Sequence, residues 1–316
     1  MVPSVTPFTR ILGCDVGDAM IVVHDTASSS IRKIPHHPGA LAAFAADLDQ
    51  TCLVVCEATG GYELDLLAAL LAAGVPAHRA DARKVKAFIR SFGTLGKTDD
   101  LDARALARYG QDRGGQLTLW RARDEQRVKL QALVLLRQDL VDDRHAYKNR
   151  RKAPGAAALA GIIDPIIEAF STQIETLEKQ IEEVVASCEA VARSVTTLTG
   201  ICGVGFTTAV SLIALLPELG HASKKQIAAL AGLAPHPDQS GAADRYRRTR
   251  GGRQHLKPTL FMAAMAAARH HPTLKIFFKR LIEKGKKRLV ALTAVMRKIV
   301  VIANAQIKTE NRRQLS

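Results

Sequence analysis

Aromatic side chains are scarce: 9 Phe, 4 Tyr and 1 Trp make up 4% of the 316 residues. That argues against a base-stacking platform of the kind that holds single-stranded nucleic acid. Cysteines number five (Cys14, Cys52, Cys56, Cys188, Cys202), form no CxxC pair and are odd in number, so no disulfide framework is indicated. Three of them lie in apolar strand-like runs, and the set reads as reduced core thiols of a cytoplasmic protein. Long apolar runs are missing too. None reaches the roughly 18–20 residues that cross a bilayer, and the richest, residues 64–77, contains Asp65 and Gly74. The first ten residues lack a basic segment followed by an apolar run, so no secretory signal is expected.

The last and most informative scarcity is of acid in the final third. Residues 197–316 hold 5 Asp+Glu against 21 Lys+Arg, residues 1–110 hold 12 against 11, and residues 111–196 hold 13 of each. The net charge of +15 therefore resides in the last third, which points to a polyanionic partner. With so few aromatics, contact with the backbone of a duplex fits better than contact with bases. The hydrophobic share of 47% and charged share of 24% are those of a globular protein long enough for two domains.

Residues 10–110 alternate between strand-like and helix-like runs. Strands are predicted at 11–16, 20–25, 30–35, 52–57 and 75–79, and helices at 38–48, 63–73, 82–92 and 98–111, the last capped by Thr98 or Asp99. Three strands followed by helix, strand, helix, strand, helix is the order of a ribonuclease H-like domain, although other α/β domains share such stretches. The middle of the chain differs. Ile167, Phe170, Ile174, Leu177, Ile181, Val184, Cys188 and Val191 alternate spacings of three and four, which is a heptad seam. A preceding helix over 124–152 ends in Arg144, Lys148, Arg150, Arg151 and Lys152. The pattern suits an intramolecular helical hairpin and a dimerising coiled coil equally. Farther on, Gly200, Gly203 and Gly205 precede a helix over 206–216, resembling a helix-hairpin-helix turn whose amides face a phosphate. Closing helices are predicted at 255–270 and 287–307.

Four carboxylates stand out. Asp15 lies inside the first strand, Glu57 ends the central one, and Asp99 and Asp102 open a helix. Positions i and i+3 are about 60° apart around a helix, so Asp99 and Asp102 share a face while Asp100 points away. In a ribonuclease H-like sheet these acids would converge. Such a cluster repels itself unless cations fill it, and hard oxygen ligands favour Mg2+ or Mn2+. Read singly, Asp99 and Asp102 are also ordinary acids at a helix N-terminus.

Three motifs narrow the choice. Glu57-Ala58-Thr59-Gly60-Gly61-Tyr62-Glu63 is followed by Lys97-Thr98-Asp99 with Asp102-Ala103-Arg104. Last come Ala231-Gly232-Leu233-Ala234-Pro235 and Gln239-Ser240-Gly241. Together they resemble the DEDD transposases of the IS110 family of insertion sequences, which includes Piv-like DNA invertases, over about residues 10–305. The resemblance implies a RuvC-like ribonuclease H-fold domain at 1–112, a helical coiled-coil or dimerisation region at 113–195, and a mostly helical basic transposase domain at 196–316. It implies that Asp15, Glu57, Asp99 and Asp102 bind metal and that Ser240 attacks the scissile phosphate and becomes linked to DNA. It further implies duplex donor and target DNA as substrates, a bridge-type guide RNA, and a homodimer or homotetramer. Asp18 stands where members often carry lysine, and Arg79-Ala80-Asp81 replaces a common Val-Asn-Pro.

By spacing alone Ser240 is a loop serine, with no Gly-x-Ser-x-Gly elbow and no assignable His–Asp pair. The arginines beyond it suit a phosphate clamp. Nucleic-acid contacts are expected at Lys97, Arg104, Lys148, Arg150, Arg151, Gly203, Gly205, Arg245, Arg247, Arg248, Arg250, Arg253 and Lys257. The acids and Ser240 lie far apart in the chain, so a composite active site is expected, closed by folding or across a protomer interface. The alternatives are a Piv-like invertase or junction-resolving nuclease with the same chemistry, and a non-catalytic nucleic-acid-binding protein.

Overall fold

Apolar strands of β-branched residues open the first of two units, residues 1–123, in a computed structural model. It describes residues 8–92, 98–121, 124–235, 239–240, 243–244 and 249–314, with backbone alone at 239, 240, 243 and 244. Strands β1 (Arg10–Val16), β2 (Met20–Asp25) and β3 (Ser30–Pro35) form an antiparallel meander. Helix α1 (Pro38–Ala46) leads to β4 (Cys52–Glu57), and α2 (Glu63–Ala72) to β5 (Ala77–Ala80). Helices α3 (Ala82–Arg90) and α4 (Asp99–Arg113) follow. The sheet order is β3-β2-β1-β4-β5, with β4 parallel to both β1 and β5. That order and polarity are those of a ribonuclease H-like domain, as expected.

The sheet has two apolar faces. Leu12, Cys14, Val54 and Cys56 pack with Leu41 and Phe44 of α1 and Leu66, Leu67 and Leu70 of α2. Ile11, Leu53 and Val55 point the other way and pack with Leu106 and Tyr109 of α4 and Val85 of α3. Seating α4 requires glycine. A Cβ on Gly13 would lie 2.1 Å from the Ala103 carbonyl oxygen and 2.3 Å from the Ala107 nitrogen. A Cβ on Gly110 would lie 2.6 Å from Ile11 Cγ2. Helix backbone thus rests directly on strand backbone, a closeness any side chain would prevent.

Of the five cysteines expected as core thiols three are in the core, whereas Cys188 is half-buried and Cys202 is exposed in the turn before the helix Phe206–Leu215. Cys14, Cys52 and Cys56 are buried and reduced. Burial pushes the Cys14 thiol well above its ordinary range and the Cys56 thiol up to about 12, so neither forms a thiolate near neutrality.

The second unit, residues 124–316, is helical. It comprises α5 (Glu125–Arg151), α6 (Ala160–Ser187), α7 (Glu189–Thr199), α8 (Phe206–Leu215), α9 (Lys224–Leu230), α10 (Leu256–His270), α11 (Pro272–Glu283) and α12 (Arg288–Arg313). The short strands β6 (Gln239–Ser240) and β7 (Ala243–Asp244) lie between α9 and α10. One core joins Leu130 and Val134 of α5, Ile181 and Val184 of α6, and residues of α7, α8, α10 and α12. Helix α11 was not among the predicted elements; Pro272 starts it directly after α10, with the His271 side chain accepting from the Leu274 N–H.

The heptad seam is occupied within the chain. Ile174, Leu177, Ile181 and Val184 are buried, and α6 returns along α5. Tyr147 meets Phe170 at 5.6 Å between ring centroids, Arg137 Nε donates to Glu178 at 2.8 Å, and Arg151 pairs with Asp164 at 2.9 Å. Of the two pairings left open by the sequence, the structure forms the hairpin. The helix also ends sooner than the seam: Cys188 is extended, and Val191 belongs to α7. Placing two carboxylates there with Leu177→Asp and Ile181→Asp should unfold the unit. Each unpaired buried charge costs several kcal/mol against a total stability of roughly 5–15. Circular dichroism should show lost helix. A folded protein of reduced mass by light scattering would place the seam between protomers instead.

Residues 156–187 and helix α12 are long and apolar enough, by average hydropathy, to span a bilayer, although neither stood out as an uninterrupted apolar run. Each is amphipathic. The most apolar window of α12 is 50% buried, with Val295, Ile299 and Ala303 in the core. In α6, Glu175, Lys179 and Glu183 are exposed opposite the buried seam.

Candidate active site

Strand pairing places the first two acids. Cys14 of β1 is opposite Cys56 of β4, so Asp15 and Glu57 are the next residues along two parallel neighbours. Side chains alternate along a strand. Asp15 therefore shares a face with Ile11 and Gly13, and Glu57 with Leu53 and Val55, which is the face covered by α4. Both are half-buried.

The direction of α4 places the other two. Ala103 and Ala107 lie over Gly13, and Gly110 lies over Ile11, so the helix runs back along β1 and begins at the end that carries Asp15. Stepping from Ala103 to Asp99 covers about 6 Å of helix, and stepping from Gly13 to Asp15 covers about 6.6 Å of strand. Thr98 caps the helix, its hydroxyl accepting from the Leu101 N–H at 3.3 Å. Asp99 lies close to the line of Ala103 and Gly110 toward the sheet, and Asp102 lies close to the line of Leu106 and Tyr109. Asp102 is half-buried, whereas Asp99 and Asp100 are both exposed, Asp100 on the line of Arg104 and Arg108. The backbone thus brings all four acids to one edge. The side chains are not gathered there: among the described residues no three His, Cys, Asp or Glu side chains stand together as a metal site.

One acid that the sequence did not single out organises this region, and a second is buried at the other end of β1. Glu63 is fully buried. Its carboxylate accepts from the Thr59 and Gly61 N–H groups, each at 3.0 Å, and from Arg79 Nε at 2.7 Å. Burial pushes its pKa up, but the N–H donors and Arg79 outweigh that and leave it below the ordinary value. Glu63 therefore ties the loop after Glu57 to β5, and the departure from the family pattern at Arg79 supplies its ion pair. Asp25, also buried, accepts from Arg10 at 2.5 Å. The signal for Glu63 was its place in the Glu57–Glu63 motif, which spacing alone could not separate from a surface acid.

In the second unit, Ser240 belongs to β6 and pairs with Ala243 of β7, while Pro235 bridges Thr249. The backbone of Ser240 therefore lies in an antiparallel pair of two-residue strands. The described residues on either side are held by backbone contacts. A Cβ on Gly252, at φ +68°, would lie 2.1 Å from the Gly232 nitrogen, and one on Gly232 would lie 2.4 Å from the Gly251 oxygen. Arg253 N–H donates to the Leu230 carbonyl at 2.8 Å.

The expected nucleic-acid contacts divide. Arg253 gives both terminal nitrogens to Glu218 at 2.7 Å, and Arg151 is paired with Asp164, so these two cations are engaged inside the chain. Arg150 stacks 4.7 Å over Tyr147, Lys148, Arg104 and Arg250 are exposed, and Lys257 is half-buried with its stem beside Gly232. Gly203, at φ +98°, packs on α10, where a Cβ would meet the Ala263 oxygen at 2.8 Å. Close helix packing therefore explains it without a phosphate. Gly205, the N-cap of α8, faces open space. Lys97, Arg245, Arg247 and Arg248 lie outside the described residues.

Comparison with known proteins gives the family of the chain. Residues 12–154 match a transposase model of the DEDD, IS110 type, and residues 195–279 match that of the transposase IS116/IS110/IS902 family. Pilin gene-inverting proteins of Moraxella lacunata and Moraxella bovis are each 29% identical over 263 residues, covering 82% of this chain and 80% of theirs. An uncharacterized 43.6 kDa protein of insertion element IS110 from Streptomyces coelicolor is 24% identical over 153 residues, or 47% of this chain and 38% of that one. Thermus thermophilus RuvC is 15% identical, with a TM-score of 0.26, over 35% of this chain and 100% of that one. Two models of a single transposase family match successive parts of the sequence, and the chain belongs to the IS110 family of transposases.

Proposed function

We propose that this transposase is a site-specific recombinase that cuts and rejoins duplex DNA, using the carboxylates Asp15, Glu57, Asp99 and Asp102 and the nucleophile Ser240. The observation that carries the reading is the backbone convergence of four acids on one face, at one end of β1, β4 and α4. Helix stability asks for acids at Asp99 and Asp102, but it does not ask for Asp15 and Glu57 beside them.

A donor set made only of carboxylate oxygens fits Mg2+ or Mn2+. When bound, such an ion supplies Lewis-acid stabilisation of the charge that grows on phosphoryl oxygens. The serine does the covalent work. Its Oγ bonds to phosphorus, the bond from phosphorus to a deoxyribose oxygen breaks, and that oxygen departs as a hydroxyl carrying the proton lost by serine. The phosphodiester is exchanged rather than hydrolysed, so an incoming DNA hydroxyl can reverse the step and rejoin the strand. A bridge-type guide RNA selects donor and target, and the protein works as a homo-oligomer. The basic second unit supplies the phosphate contacts, Arg250 and Lys257 among them.

Inversion is a second reading with the same chemistry, favoured by the 29% identity to pilin gene-inverting proteins over 82% of the chain. Sequencing product junctions separates inversion from insertion.

Metal affinity tests the carboxylate edge without knowledge of the target DNA. Mn2+ titrated into the full-length chain should raise its melting temperature, because a ligand at about 100 times its Kd stabilises by about 2.7 kcal/mol. Asp15→Asn with Glu57→Gln should abolish the shift. An equal shift in wild type and variant would remove these acids from the site.

A further inference from the structure

The cations of the first unit are unevenly placed. Residues 79–92 carry five Lys+Arg and a single acid, Asp81. Two of these cations, Arg79 and Lys84, line a cleft of about 480 Å³ between β5, the first turn of α3, the last turn of α4 and residues 116–118. Asp81 is committed to capping α3, accepting from the Arg83 N–H at 2.8 Å. Arg79 is neutralised by Glu63. His78 donates from Nδ1 to the Thr118 carbonyl at 2.8 Å, and burial lowers its pKa, so it forms an uncharged wall.

Two cations remain to face the cleft. Neither Lys84 nor Arg113 forms an ion pair among the described residues. The Arg113 guanidinium lies 5.7 Å from the Phe88 ring centroid and 5.5 Å from that of Tyr109. A guanidinium over aromatic rings keeps its in-plane N–H edge for a phosphate. Tyr109 is only 4% exposed and offers no surface for a base to stack on, so the cleft suits a sugar–phosphate backbone. Its location matters as well. His78 is opposite Val55, and Ala80 is opposite Glu57. The cleft therefore begins one strand over and two residues back from Glu57 on the same face, a diagonal of about 7–8 Å.

We propose that Lys84 and Arg113 hold a phosphate of a nucleic-acid strand in this cleft and lead the strand to the carboxylate edge. The proposal rests on the reading of the chain as an enzyme acting on nucleic acid. It adds to the first unit a phosphate contact that the charge balance of the sequence did not reveal, because acids elsewhere in residues 1–110 cancel these cations.

The test is Lys84→Gln with Arg113→Gln in the full-length chain, measured by fluorescence anisotropy against a random-sequence duplex DNA and a hairpin RNA across a salt series. Loss of the phosphate held by these two cations should flatten the slope of log affinity against log salt by about 0.9 on duplex DNA. Affinity at the lowest salt should fall on the order of tenfold. The probe whose slope changes identifies the strand as DNA or RNA. Arg83→Gln with Lys86→Gln removes the same charge from α3 outside the cleft lining and should change the slope less. Because Arg113 also packs on rings, Lys84→Gln alone repeats the measurement with about half the effect. Slopes matching wild type on both probes would overturn the cleft, as would equal changes in the two double variants. If wild-type protein binds neither probe, the enzyme reading falls and the cleft falls with it.

Discussion

Ser240→Ala should abolish the covalent link between protein and DNA while leaving DNA binding within about twofold of wild type. Incubation with element-end DNA, followed by denaturing electrophoresis, should show a protein–DNA adduct for wild type and none for the variant. Recombination should fall by at least about 10⁴-fold, the scale on which enzymes lose activity with their nucleophile. The structure gives a reason to expect a defined position for this residue. The backbone of Ser240 pairs with Ala243, and the described residues on either side are anchored by the crossing of Gly232 and Gly252 and by the bidentate pair of Arg253 with Glu218. Only the side chain is lost in Ser240→Ala, so these anchors and the melting temperature should be unchanged. An adduct of normal yield would defeat the nucleophile assignment and leave water or a DNA 3′-hydroxyl as the attacking group.

Asp102→Asn should lower recombination by at least about 10²-fold, or roughly 2.7 kcal/mol of transition-state stabilisation, with DNA binding retained. The substitution keeps size and removes charge, and the phosphate contacts belong chiefly to the last third, with its 21 Lys+Arg against 5 Asp+Glu. Asp99→Asn should behave alike. Asp100→Asn should be nearly silent, since the helix phase turns Asp100 onto the line of Arg104 and away from the sheet. Each variant loses a favourable acid from the first turn of α4, which costs only about 0.3–1 kcal/mol of stability. Melting curves therefore separate a chemical defect from a folding one. Wild-type recombination by Asp102→Asn would take that residue out of the catalytic set, and a dead Asp100→Asn would show that the helix phase is wrong.

Much of the first unit could be read in the chain itself because its signals are local. Runs such as Cys52–Glu57, the Thr98 cap and the alternation of apolar side chains report element type within a few residues, and the order of elements then limits the sheet. The three motifs carried the family. Pairing partners are nonlocal, and there sequence reasoning ended. The seam from Ile167 to Val184 specifies a helix pair but not whose chain completes it, and tertiary packing of α6 on α5 made the choice. Arginines look alike in a sequence, yet Arg253 and Arg151 are spent on Glu218 and Asp164, while Arg113 lies over aromatic rings with its edge exposed to a cleft. The close packing of Gly203 on α10 is equally invisible in a glycine-rich turn read from the sequence.

The sequence by itself determined the strand and helix periods, the basic last third and the identity of the acids at 15, 57, 99 and 102, because each depends on residue type and short-range spacing. Only the tertiary structure decided that the backbone carries these four positions to one end of the sheet, without gathering three of their side chains into a metal site. Parallel pairing of β1 with β4 sets Asp15 beside Glu57, and two glycines, Gly13 and Gly110, let α4 lie against the sheet with its first turn at the same end. Convergence of charges separated by more than 80 residues is a property of packing, in which backbone closeness rather than local propensity selects the arrangement.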